Sequence, residues 1–143
     1  MDGQPLDPVG ALPQVTIELG IERLAAMVLL LTCLSHITAP GAWRALFERI
    51  AASDAPGLVT AAIHLPLGLL LVAFHNVWSG WAMLFTIIGW ALTVKGSLHL
   101  LFPQVARRSL ALPGEGEQAE RRYRIAGVIM APLAAALTWM AWG

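Results

Sequence analysis

The stretch from Ala55 to Val94, APGLVTAAIHLPLGLLLVAFHNVWSGWAMLFTIIGWALTV, contains no Asp, Glu, Lys or Arg. A helix needs about 20 apolar residues to cross a hydrocarbon core of ~30 Å. Inside lipid its backbone must satisfy its own hydrogen bonds. A run about twice that long is too long for one span and must fold back on itself. The natural break is Asn76-Val77-Trp78-Ser79-Gly80, where Asn, Ser and Gly favour a turn. The stretch therefore predicts two membrane helices, about 57–75 and 80–102.

Working outward, Leu24 to Trp43 is also free of formal charge and predicts a span at about 21–39. Ile125 to Trp142 predicts another at 125–142. The whole chain agrees with this pattern. It has 143 residues, 57% hydrophobic and 13% charged, with mean hydropathy +0.68, far from ordinary soluble usage. The expected fold is all-α, an integral membrane four-helix bundle forming one transmembrane domain over 21–143. Pro5, Pro8 and Pro13 lie before it, and each removes a backbone donor and restricts its neighbour. Residues 1–20 are accordingly expected to be an extended external tail. No Lys or Arg precedes Arg23, so the positive region of a cleaved signal peptide is missing. The first apolar segment is expected to stay in the mature protein.

Four spans put the loops 40–56 and 103–124 on one side of the membrane, and both termini with the 76–80 turn on the other. The first side carries Arg44, Arg49, Arg107, Arg108, Arg121, Arg122 and Arg124, and the second only Arg23. The positive-inside rule makes the loops cytoplasmic and the termini external, and the expected location is a bacterial inner membrane with both termini periplasmic. Trp78, Trp81, Trp139 and Trp142 fall at the predicted external interface, Trp43 at the cytoplasmic one and Trp90 at mid-depth. Within the first loop, Ala42 to Ala52 has the spacing of a short amphipathic helix. The second loop has a Pro-Gly-Glu-Gly turn followed by EQAERRYR, in which Glu117 and Arg121 are spaced for an i,i+4 pair. Its Arg107, Arg108, Arg121, Arg122 and Arg124 are candidates to bind anionic lipid headgroups.

The segments SHITAPGAWRAL (35–46) and LHLLFPQVARRS (98–109) align His36 with His99, Pro40 with Pro103 and Arg44 with Arg107. Pro66 and Pro132 follow at similar distances. This predicts two like-oriented two-helix hairpin repeats, related by a pseudo-two-fold along the membrane normal. The His-x3-Pro-x2-Trp segment (His36, Pro40, Trp43), the Phe74 to Trp78 stretch and Gly89-Trp90 resemble small bacterial inner-membrane proteins of uncharacterised activity. That resemblance implies location and topology, and assigns no reaction.

Ionisable side chains at membrane depth are functional-site candidates by default. Here they are His36, His64, His75, Lys95 and His99. Lys95 and His99 are i,i+4 neighbours, and Thr60, His64 and Gly68 share a face of their helix. Four of the five fall at similar depth on the cytoplasmic half, predicting a polar cluster between the first three spans. In the simplest reading these groups satisfy one another across helix interfaces, and Lys95 snorkels to the headgroups. A second reading is a path for protons or a small solute through His36, His64, His75, Lys95 and His99. A third makes His36, His64 and His99 ligands of haem or a metal. No ligand-spaced motif supports that third reading, so no cofactor or metal is expected. Cys33 is the single cysteine, which excludes an intrachain disulfide and a Cys-x-x-Cys pair.

No carboxylate is expected at membrane depth, and neither a Ser-His-Asp set nor a phosphate loop is present. Zero net charge gives no argument for nucleic acid. The leading expectation is a small non-enzymatic membrane protein, an accessory or assembly component with no catalytic residue. Alternatives are a proton-linked or solute carrier and a haem- or metal-binding redox anchor. Gly127, Ala131 and Ala135 form a small-x3-small face that can receive a helix of this chain or of an oligomer partner.

Overall fold

The computed structural model describes residues 14–143. Within them the chain is all-α: α1 (Gln14–Thr38), α2 (Pro40–Ala51), α3 (Pro56–Phe74), α4 (Met83–Leu101), α5 (Pro103–Ala111) and α6 (Gly116–Trp142). Three of these, α3, α4 and α6, are long and apolar enough to cross a membrane. Their outer faces expose Leu58, Leu69, Ile87, Val94, Val128 and Ile129, a surface suited to lipid.

One local rule sets three helix boundaries. A residue before proline is pushed out of the α region by the ring, and proline itself is well placed at a first helical turn. Ala39 (φ −134°, ψ 53°), Ala55 (φ −129°, ψ 57°) and Phe102 (φ −128°, ψ 82°) each break the chain in this way. Pro40, Pro56 and Pro103 then start α2, α3 and α5. The α3–α4 connection contains Gly80 at φ 58°, a left-handed conformation that glycine adopts without steric cost. Pro66 and Pro132 lie inside α3 and α6, which both continue through them.

The fold differs from the sequence expectation in three places. Helix α1 starts at Gln14, so 14–20 is helical rather than extended; residues 1–13 of the expected tail lie outside the described residues. The helix carries Glu18 and Glu22 in its N-terminal half, and α1 is not among the described helices long and apolar enough to cross a membrane. The 103–124 loop is largely helical, because α5 occupies its first half and α6 begins at Gly116. The pair expected between Glu117 and Arg121 is not among the ion pairs of the described residues.

The long helices associate as two close pairs, α3 with α4 and α1 with α6. Small residues permit this approach, because packing is what drives helix association in lipid. A Cβ on Gly89 of α4 would lie 2.5 Å from that of Leu71 on α3, which is fully buried. A Cβ on Gly127 of α6 would lie 2.8 Å from both the Cys33 carbonyl and His36 Cβ of α1. The face containing Gly127 is thus filled at that point from within the chain, while Ala135 remains exposed. The short helices lie across the same end of the bundle, α2 against α6 and α5 against α3 and α4. Ala25, Ala26, Leu71, Phe85, Leu137 and Ala141 form the core toward the opposite end.

Candidate functional site

His36, His64, Lys95 and His99, from α1, α3 and α4, line one cavity of about 270 Å³ between the two helix pairs. Thr60, Ser109 and Tyr123 complete its polar lining, with Phe47, Leu110, Pro113 and Ala126. An adjoining cavity of about 350 Å³ shares His36, Phe47, His64 and Lys95 with the first. It then runs between Leu29, Ile63, Leu67, Ile88 and Leu92 toward Phe85 and Leu137.

The local backbone fixes the rings. His36 Nδ1 lies 2.8 Å from the Thr32 carbonyl and His64 Nδ1 lies 2.6 Å from the Thr60 carbonyl, each one helical turn back. A carbonyl only accepts, so both rings donate through Nδ1 and keep Nε2 for another partner. The Thr60 hydroxyl is itself spent on the carbonyls of Pro56 and Gly57 (2.8 and 3.1 Å). His99 is arranged differently. It is 3% exposed, its Nε2 lies 3.3 Å from Ser109 Oγ, and its buried Nδ1 has no partner. The His64 and His99 rings meet edge to face with centroids 5.9 Å apart. Lys95 is exposed, lines both cavities and forms none of the ion pairs of the described residues.

An aromatic wall closes the other side. His36 stacks on Trp43 with centroids 4.1 Å apart, and the Trp43 indole N–H donates to Ser35 Oγ at 3.0 Å. Trp43 continues to Phe47 and Phe47 to Tyr123 at 5.7 and 5.5 Å. Trp43 thus supports a cavity residue, in addition to its expected interfacial position. The sequence reading missed Trp43, Phe47, Ser109 and Tyr123 as site residues. Apart from Trp43, which follows His36 by seven residues, they carried no spacing signal.

His75 does not join this cluster. It is fully buried at the far end of the bundle, with Nδ1 3.0 Å from Thr86 Oγ1 and Nε2 2.8 Å from Glu22 Oε1. Glu22, which no sequence spacing linked to His75, is a largely buried partner whose side chain is only 17% exposed. His75 meets Phe85 edge to face (5.8 Å), and Phe85 borders the second cavity. The region between the two polar ends is apolar.

The arginine candidates are all exposed and sit on or beside α5 and the start of α6. Arg107 and Arg122 reach the carbonyls of Ala51 and Leu112. Arg108, Arg121 and Arg124 take part in no ion pair of the described residues. Arg44 bridges Glu48 and Glu120 at 2.9 and 3.0 Å, tying α2 to α6. No group of three His, Cys, Asp or Glu side chains among the described residues converges as a metal site would require.

Comparison with protein families, with curated proteins and with solved structures finds nothing that matches this chain.

Proposed function

We propose that this chain is a non-enzymatic inner-membrane carrier that moves protons or a small solute through the cavity lined by His36, His64, Lys95 and His99. The convergence of these four side chains from three helices on one open-sided cavity carries the reading. Scattered histidines satisfied in separate helix contacts would not leave a shared space, a free Nε2 on two rings and an unpartnered Nδ1 on a third. The His75–Glu22 pair supplies a second protonatable station at the opposite end.

In this reading α1 is the fourth span and the bundle consists of two like-oriented hairpins. The contacts support it, since a pseudo-two-fold exchanging α1 with α4 and α3 with α6 carries the α1–α6 pair onto α4–α3. It also carries α2 on α6 onto α5 on α3, each short helix starting at a proline. The arginines of α2, α5 and the start of α6 would face the cytoplasm, where Arg107, Arg108, Arg121, Arg122 and Arg124 meet anionic headgroups. Both termini would be periplasmic.

The test is a pH jump across liposomes containing the purified protein, with a trapped pH dye, alone and with candidate solutes. His64→Leu and Lys95→Leu should abolish the protein-dependent flux while leaving the unfolding midpoint near that of the parent. Unchanged flux in both variants would remove the carrier reading. An accessory or assembly role is favoured by one feature, a shallow lipid-facing notch bordered by Leu30, Ala135, Thr138, Trp139 and Trp142. Recovery of a stoichiometric membrane partner, lost on Ala135→Trp, would support that role.

A further inference from the structure

The two adjoining cavities differ in chemistry, and the difference specifies a ligand. The one next to α5 is lined by Lys95, His99 and the hydroxyl residues Ser109 and Tyr123, and no carboxylate lines it. A fixed cation with no counter-charge at membrane depth is costly, and an anion occupying the cavity would offset that cost. The second cavity begins at the same Lys95 and His64. Its deeper walls are aliphatic or aromatic: Leu29, Ile63, Leu67, Phe85, Ile88 and Leu92.

We infer that the pair of cavities is a binding site for a single-chain amphiphile with a monoanionic head. The head sits at Lys95, His99 and Ser109, and the chain lies between the helix pairs toward Phe85. Lys95 is the one Lys or Arg in the lining, which matches a head of single negative charge. The proposed repeat explains why there is one such site per chain and not two. Lys95 stands one turn before His99, and the matching position before His36 is Thr32. The cavity that would hold the chain, about 350 Å³, is near the small end of the usual ligand-pocket range of about 300–1,000 Å³, which suits one slender chain better than the two of a phospholipid. This inference rests on the carrier reading only for its biological purpose; the binding itself does not depend on flux.

The experiment uses the whole protein in nanodiscs of zwitterionic phosphatidylcholine and a bromine-tipped undecanoate as probe, read by quenching of tryptophan emission. Trp43 lines the apolar cavity, so the difference between the parent and Trp43→Phe isolates its signal. Saturable quenching is expected in the parent and not in Trp43→Phe. Lys95→Gln should weaken it by about tenfold or more, as loss of a charge-assisted contact implies, and Lys95→Arg should retain it. Equal quenching in the parent and Trp43→Phe would mean partition into the bilayer only and would overturn the inference. So would equal affinity for the corresponding bromine-tipped alcohol, or displacement by acetate at the same concentration as by the undecanoate. Saturable binding without any flux in liposomes would remove the carrier reading and leave the site standing. Flux without saturable binding would do the reverse.

Discussion

His75 Nε2 and Glu22 Oε1, 53 residues apart in sequence, lie 2.8 Å apart and join the α3–α4 pair to α1 at the end of the bundle away from α2 and α5. The neighbouring bonds fix the proton inventory. The Thr86 hydroxyl donates to the Val77 carbonyl at 2.7 Å, so its oxygen is left to accept from His75 Nδ1. One proton then lies between Nε2 and the Glu22 carboxyl, and the pair is neutral overall whichever atom holds it.

Glu22→Ala should destabilise the fold by about 1–3 kcal/mol, because it leaves a fully buried ring nitrogen without a partner. Glu22→Gln should cost much less, since the amide N–H can donate to Nε2. An SDS unfolding titration of the parent and both variants checks this, and equal losses for Ala and Gln would refute the shared-proton account.

The α3–α4 interface predicts a size-specific effect at Gly89. Gly89→Val should cost about 1–3 kcal/mol by overpacking against the Leu71 Cβ, and it should cost less in a Leu71→Gly background, where that Cβ is gone. A double-mutant cycle in the same titration measures the coupling. Strict additivity would show that the two positions do not share a packing space.

Sequence alone made the apolar spans legible because lipid imposes one length and one composition on any helix that crosses it. That is why α3 lies within a residue of its expected bounds. His36, His64, Lys95 and His99 could be grouped because each lies within about two turns of the helix end next to α2 or α5, a distance that can be counted along a helix. Helix α5 was hidden because Gln104, Arg107, Arg108 and Ser109 read as a solvated loop, although Pro103 is a good helix start. The His75–Glu22 contact was illegible for another reason. Which helix lies beside which is decided by Gly89, Gly127 and their partners, and no spacing along the chain encodes that choice.

Arg44 should contribute little to global stability despite its two carboxylate partners. Its side chain is 31% exposed and those of Glu48 and Glu120 are 48% and 36% exposed, and solvent screens such pairs. Hydrogen bonds to Glu48 and Glu120 raise the Arg44 pKa above its ordinary value. A base raised in the fold keeps its proton as pH climbs, so the bridge persists through the alkaline range. Arg44→Ala should leave the unfolding midpoint nearly unchanged while amide exchange in α2 accelerates. A large drop in the midpoint would show that α2 docking is part of the global fold.

The proposed topology predicts opposite labelling of two exposed positions in a Cys33→Ala background. Ser79→Cys, in the α3–α4 connection, should react with a membrane-impermeant maleimide added to spheroplasts. Glu115→Cys, before α6, should react only after permeabilisation. Labelling of Glu115→Cys in intact spheroplasts would overturn the orientation.

The glycine contacts that close each helix pair give the molecule two stiff blades, because a backbone held directly against its neighbour has no side chain to rearrange. The space lies in the seam between the blades, and so do Lys95 and three of the four histidines. Across that seam, His75–Glu22 clasps one end and Arg107 to the Ala51 carbonyl the other. Any breathing of such a bundle is taken up in the seam, so a change at either clasp alters the room available to whatever occupies the middle.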